Sequence, residues 1–361
     1  MRLPPELPLA SPALGKDFYQ ETREKRLSYS PQARVNFDQY VRSSRRDTKP
    51  GYRPIKIDIE PASRCNFRCQ MCVVSTWDKG KRAEDLSLDH FKHLIDNEPQ
   101  VLEIKLQGLG EPLMVGDPLF EMIKYARNQH IWVRTVTNGS LLHKSNNIEK
   151  LIETRISEIQ VSIDGALEIT METIRKGSHA KKVFANVEAL NAKAQESNHK
   201  CTKMWTVVQK DNIDEMEMLV HLASKLGFTN QCFSLDMHGW GIGDWVTLNN
   251  SRNAEDSSLS QDRLLGLVTL GEKLNVRVEF WSNSSKYSTT DSDSLCPWPF
   301  ERYMVSSDMR VTPCCMISNP DILEIGKNLP YESVWESKSY EQFRLAHLEG
   351  TIPKACKMCY E

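Results

Sequence analysis

Apolar and polar positions along this chain switch repeatedly between two periods. Ile55-Lys-Ile-Asp-Ile-Glu60 alternates with period two and predicts a strand. Ser87 then stands as the N-cap of a helix with Leu88, Phe91, Leu94 and Ile95 on one face. Period two returns at Val101–Gln107, Ile131–Thr137, Glu158–Asp164, Lys203–Gln209 and Gln231–Asp236. Helical stretches separate these runs near 119–128, 148–154, 181–196 and 214–226, the last stopped by Gly227. Six alternating units predict a parallel sheet with helices outside it. Six units fall short of the eight of a closed barrel, so the expected fold is α/β, a partial (β/α)6 TIM-like barrel. Chemistry in such barrels collects at the C-terminal ends of the strands.

The flanks differ from this core. Residues 1–54 are polar and rich in Pro, Arg and Ser, and predict an arm with one helix from Ser30 to Val41. After the sixth unit come a helix near 260–274 and a strand at Val276–Trp281. The polar linker Ser282–Ser294 then changes the composition. The expected division is an arm (1–54), the barrel (55–281) and a small C-terminal α+β domain (282–361). The 361 residues are 40% apolar and 26% charged, ordinary for a globular chain. A formal charge of −2 makes no electrostatic case for a nucleic-acid partner. No apolar run is long enough to span a membrane, and the N-terminus lacks the apolar core of a signal peptide. The expectation is a cytoplasmic protein with no membrane partner. In that compartment ten cysteines point to metal or redox chemistry rather than disulfides.

Three of the ten lie together in Cys65-Asn-Phe-Arg-Cys69-Gln-Met-Cys72, just past the first strand. Three thiolates on one tight loop can hold three irons of a [4Fe–4S] cube, and no fourth Cys is near. The remaining iron would stay open, as a catalytic zinc keeps one open position. A zinc knuckle is the alternative for such short spacings.

This CxxxCxxC loop resembles that of the radical S-adenosylmethionine (SAM) enzymes. The resemblance implies that SAM chelates the open iron and that one electron from the cluster cleaves it to a 5′-deoxyadenosyl radical. That radical removes a hydrogen atom from a substrate C–H bond. Met71 stands where the family usually has an aromatic residue and would pack on adenine. Gly108-Leu-Gly110-Glu111-Pro112, after the second strand, resembles the family's Gly-Gly-Glu-Pro, which contacts the SAM amino group. Asn138, after the third strand, and Ser162 and Asp164, ending the fourth, match its SAM-side edge. Ribose hydroxyls or the carboxylate side of SAM are both open as their partners, and turn formation is the bland reading. Arg175 matches a family Arg that pairs with the SAM carboxylate. A flavodoxin- or ferredoxin-type reductant is the partner implied.

The sixth strand leads to Met237-His238-Gly-Trp240-Gly-Ile-Gly-Asp244-Trp245. This reads as a loop over the barrel mouth that shapes a substrate pocket. Asp236 and His238 are the candidate bases.

Beyond the linker stand Cys296, Cys314, Cys315, Cys356 and Cys359. Tyr303–Pro313 predicts a hairpin returning Cys314 towards Cys296. Four thiolates so gathered close a cube, or a zinc site. The pattern resembles the twitch domain, the short form of the SPASM domain. Cys296, Cys314, Cys356 and Cys359 match its ligands to an auxiliary [4Fe–4S] cluster, with Cys315 as the alternative to Cys314. Met309 stands where that hairpin often has Gly.

The expected function is radical SAM catalysis, read as two-electron oxidation of a small polar substrate such as a sugar or cyclitol, with the auxiliary cluster taking the second electron. The alternatives are a peptide-modifying maturase and an epimerase using Cys315, Cys232 or Cys201 as hydrogen donor. An iron–sulfur electron carrier without SAM chemistry is the rival of another class. Cys315 is filler, ligand or donor.

Overall fold

The structure is a computed structural model that describes residues 4–360 except 45, 78, 79, 238, 283–285, 291 and 328–333. Its strands are β1 (Lys56–Ile59), β2 (Glu103–Leu106), β3 (Trp132–Thr137), β4 (Glu158–Ser162), β5 (Thr202–Val207), β6 (Asn230–Ser234) and β7 (Arg277–Trp281). They continue with β8 (Arg302–Val305), β9 (Arg310–Thr312) and β10 (Gly326–Lys327). One sheet joins them in the order β10-β9-β8-β1-β2-β3-β4-β5-β6-β7, and it does not close on itself. Strands β1 to β7 run parallel, as alternation with helices requires. This is the expected α/β partial barrel. β8 and β9 form the expected hairpin, and β8 pairs parallel with β1, so the sheet is continuous across the boundary drawn at 281.

Alternation along each strand separates two environments. Ile57, Ile59, Ile104, Leu106, Ile159 and Val161 are fully buried in one apolar core with helix residues such as Phe91, Leu94, Leu119 and Val187. The opposite face turns inward and is charged. Asp58, Lys105, Arg134 and Glu158 follow one another in register across β1 to β4. Ser87 caps the helix Leu88–Asn97 by accepting the His90 amide at 3.1 Å, as its position predicts. Gly227 ends the helix Met216–Lys225 at φ +83, a conformation glycine takes freely.

The arm is more structured than its composition predicts. Ser30 does cap a helix, α2 (Pro31–Arg42), but a further helix, α1 (Gly15–Tyr29), precedes it. That helix has no side-chain cap, which is why the sequence does not mark its start. Arg26 fixes it to the barrel by donating to the carbonyls of Val101, Gln129 and Pro99. The strap before it bridges Leu9 to Phe280 and closes the N-terminal end of the barrel. There the Ala13 amide donates to Glu158 at 2.8 Å, and Lys203 Nζ donates to the Ser11 carbonyl. Among the described residues no helix is long and apolar enough to cross a membrane.

Candidate active site

The three-Cys loop leaves β1 at the C-terminal end of the sheet, and the loop after β2 packs directly on it. The Glu111 amide donates to the Arg64 carbonyl at 2.9 Å. A Cβ on Gly110 would stand 2.1 Å from the Ala62 carbonyl oxygen, so only glycine allows this approach. Gly108 meets Glu60 in the same way, at 2.4 Å from its Cγ. Both glycines therefore serve loop-on-loop packing. Pro112 opens the short turn Pro112–Met114.

Glu111 is buried, and its carboxylate takes three protein donors. Oε1 accepts the Leu113 amide at 3.2 Å and the Thr137 hydroxyl at 2.7 Å. Oε2 accepts the Asn138 amide at 2.8 Å. These bonds tie the loop after β2 to the end of β3. The Asn138 side chain spans towards the cysteines, 2.9 Å from Asn66 Oδ1 and 4.0 Å from Cys65 Sγ. Ser162 is buried at the end of β4.

Asp164 and Arg175, expected to reach SAM separately, pair with each other. Arg175 Nη2 lies 2.8 Å from Asp164 Oδ2, and both are buried. Arg175 Nη1 stands 3.9 Å from Cys69 Sγ. The other Asp164 oxygen accepts the Val207 amide at 2.8 Å. The cause is burial: a carboxylate withdrawn from water takes the nearest guanidinium.

The segment after β6, expected as a loop over the barrel mouth, is partly helical. Only its first residues are loop, and Asp244 and Trp245 lie in the helix Gly243–Arg252. It straps the three-Cys loop down. Trp240 Nε1 and Asn249 Nδ2 donate to the Met71 carbonyl at 3.0 and 3.2 Å, and Arg252 donates to the Gln70 carbonyl. Trp245 packs with Val73, Val74 and Leu109 in a small separate cluster. Met71 itself is buried in the main core. Asp236 is buried below this strap and accepts the Ser282 hydroxyl at 2.9 Å. His238 lies outside the described residues.

Burial raises all three thiols of the loop. Cys65 is pushed up to about 12, with Glu111 adding to the effect. Cys72 reaches about 12, its neighbours Cys69 and Cys65 contributing. Cys69 is also raised, with Arg175 opposing the shift. In the C-terminal part, Cys314 is raised by burial and by the thiols of Cys315, Cys356, Cys296 and Cys359 around it. Cys356 and Cys359 rise to about 12 and about 11 through burial. Cys315 is set between the two regions: after burial, Asp58, Lys105 and Arg302 of the barrel interior act on it most, and the Cys359 thiol adds to them. Met309 takes φ +66 in the hairpin turn, a backbone the side chain disfavours and glycine would adopt freely.

Both thiol sets fit iron–sulfur clusters. Each brings soft sulfur donors together in a buried setting, and the first adds a guanidinium beside a sulfur. Among the described residues no three His, Cys, Asp or Glu side chains gather closely enough for a single metal ion. Thiolates on separate irons of a cube stand further apart than the ligands of one zinc.

Sequence reasoning missed the groups that link these loops. Glu60 is fully buried, pairs with Arg82 at 2.7 Å, and accepts the amides of Leu109 and Ser307, each at 3.1 Å. Arg82 also reaches Asp308 in the hairpin turn at 2.8 Å. Glu60 occupies an inward position of an alternating strand, the one signal that could have marked it.

The chain matches the family model of the radical SAM superfamily over residues 59–223 and that of the SPASM iron–sulfur cluster-binding domain over 296–360. It is 29% identical over 199 residues to the mycofactocin maturase MftC of Mycolicibacterium smegmatis, covering 54% of this chain and 48% of that protein. It therefore spans about half the length of the mycofactocin maturases it matches. The PqqA peptide cyclase of Bradyrhizobium diazoefficiens is 21% identical over 322 residues, 85% of this chain and 78% of that one. Among solved structures, Streptococcus suis SuiB bound to S-adenosylmethionine superimposes with a TM-score of 0.64 at 15% identity, covering 81% of this chain and 68% of that chain.

Proposed function

Since the chain belongs to the radical SAM superfamily and carries a SPASM iron–sulfur domain, we propose that it modifies a peptide by abstracting a hydrogen atom from one of its residues. Its cofactors are SAM, a SAM-binding [4Fe–4S] cluster and an auxiliary iron–sulfur site. One observation carries the peptide reading: the similarity to the PqqA peptide cyclase runs through 85% of this chain. The relatives favour this over the sugar or cyclitol expected from the sequence. Ten free cysteines support a cytoplasmic setting.

When bound, these groups would supply one electron, an adenosyl radical and an electron acceptor. The protein's part is positional. Cys65, Cys69 and Cys72 hold the first cluster and leave one iron open. Cys296, Cys314, Cys356 and Cys359 hold the second. Loading either set removes protons that burial otherwise retains on the thiols. A carboxylate offers about four lone-pair sites. Glu111 spends three on the loops and keeps one for the SAM ammonium. Asn138 and Ser162 line the same edge. Arg175 offsets the negative charge of the Cys69 thiolate while Asp164 holds it in place. Asp236, two residues past β6, is the candidate for taking a proton from the substrate.

The test is anaerobic turnover of the reconstituted protein with SAM and reductant. Peptides encoded beside its gene should raise 5′-deoxyadenosine formation and change mass. Stimulation by sugars or cyclitols, with none by peptides, overturns the reading.

A further inference from the structure

The charges that face into the barrel are almost all paired. Lys56 and Arg134 lie 3.6 and 3.2 Å from Glu103, and Arg134 lies 2.7 Å from Glu158. Lys203 stands 3.4 Å from Glu279, Arg277 is 2.9 Å from the same carboxylate, and Arg302 pairs with Glu301. Lys105 breaks the pattern. It sits in β2, in register with Asp58 on β1 and Arg134 on β3. Asp58 does not serve as its counter-ion within ion-pair distance; its Oδ2 takes the Gln107 amide at 2.5 Å. Among the described residues Lys105 Nζ has no hydrogen-bond partner and no carboxylate within 4 Å.

Lys105 is half-buried, so it keeps surface open to the interior. Cys315, one residue from an auxiliary-site thiol, shares its electrostatic surroundings. Asp58 and Glu158 attract the ammonium only from beyond ion-pair distance, and burial, with Arg134 adding to it, pulls this one down to about 8. The neighbouring cations Arg134 and Arg302 have carboxylates in direct contact, whereas among the described residues Lys105 has none. An inward-facing ionisable group perturbed in this way is a functional-site candidate.

We propose that Lys105 anchors a carboxylate of the substrate inside the barrel. The ammonium is a point charge with three donors on a flexible stem, suited to a carboxylate arriving at varied angles. This deepens the peptide reading and rests on it only for the source of the carboxylate, which is an Asp or Glu side chain or the chain terminus.

The experiment measures binding to the holoenzyme by saturation-transfer NMR, without turnover. N-acetylglutamate α-methylamide carries only the side-chain carboxylate, N-acetylglutamine only the terminal one, and N-acetylglutamine methylamide neither. At least one acid should bind saturably, and the neutral compound should not. The acid preferred identifies the source. Lys105→Gln should weaken that binding about tenfold or more, the effect of losing one charge-assisted bond. Lys105→Arg should restore most of it, and iron content should stay constant in both. In the wild type, the bound acid should protect Lys105 from reductive methylation, a readout that needs no variant to fold. Equal binding of acid and neutral probes, unchanged binding in Lys105→Gln, or unprotected Lys105 overturns the proposal. None of these outcomes bears on whether peptides are turned over, so the two readings fail separately.

Discussion

Arg175 stands between a carboxylate and a sulfur, 2.8 Å from Asp164 Oδ2 and 3.9 Å from Cys69 Sγ. Burial raises Asp164 towards its protonated form, and Arg175 opposes that shift. Arg175→Met strands a buried carboxylate, so unfolding free energy should fall by about 3–5 kcal/mol. The double variant with Asp164→Asn should lose less than the sum of the two single changes. Chemical denaturation of the four proteins gives the cycle, and strict additivity would show that the pair is not coupled.

Gly110 offers a sharper contrast. A methyl group there collides with backbone at 2.1 and 2.6 Å, which no side-chain movement relieves. Gly110→Ala should therefore lose iron from the first site and destabilise the chain by several times the ~1 kcal/mol typical of point changes. Gly51 has open space around it and no positive φ, so Gly51→Ala should shift stability by less than about 1 kcal/mol. Thermal melts and iron analysis compare the two. Similar losses in both would show that crowding at Gly110 is unimportant.

The neighbouring cysteines of the hairpin should part company under mutation. Cys314 is acted on by all three other thiols of its set, whereas Cys315 is acted on mainly by Asp58, Lys105 and Arg302 and by Cys359 alone of that set. Cys314→Ala should shed about four irons, the content of one cube. Cys315→Ala should retain them. Iron loss in Cys315→Ala alone would reverse the ligand assignment. Solvent deuterium entering the product in wild type and vanishing in Cys315→Ala would instead mark the thiol as a hydrogen donor.

Acid should reveal the barrel floor. Burial alone would raise Glu103, but Lys56, Arg134 and Arg302 outweigh it and hold its carboxyl at about 2. A depressed folded value stabilises the chain above the ordinary carboxylate pKa, and that contribution disappears as pH falls through about 2. Glu103→Gln should thus lose up to about 3 kcal/mol near neutrality, with the gap to wild type closing between about pH 4.5 and 2. Urea unfolding across that range tests it. The difference between the two chains is the readout, because acid removes iron from both. A gap independent of pH would place the effect in packing.

Much of the chemistry was legible because it is local. The three-Cys loop, Gly110-Glu111-Pro112 and the terminal Cys pair each declare themselves within a few residues. So did the hairpin that returns Cys314. What escaped was the pairing of distant charges. Asp164 and Arg175 were read one at a time, and burial joins them in a pair. Glu60, Arg82 and Asp308 come from three separate stretches. The floor residues Arg134, Glu158 and Lys203 stand at polar positions of their strands, and Lys203 and Glu158 are almost wholly buried. Their counter-charges lie on other strands, and alternation alone does not say which interior they share. The strap formed by Trp240, Asn249 and Arg252 escaped because its partners are backbone carbonyls, which carry no residue identity.

The pairing of β8 with β1 has a consequence for how this chain is made. β1 emerges first from the ribosome, and β2 can cover one of its edges soon afterwards. Its other edge waits for β8, which begins only at Arg302. Throughout most of synthesis the strand that bears the first thiol set presents unpaired amides and carbonyls to its surroundings. Such late, long-range closure slows folding and exposes the nascent chain to mispairing. Production lacking residues beyond 300 should therefore yield aggregate rather than a soluble barrel, even though every strand from β1 to β7 is present.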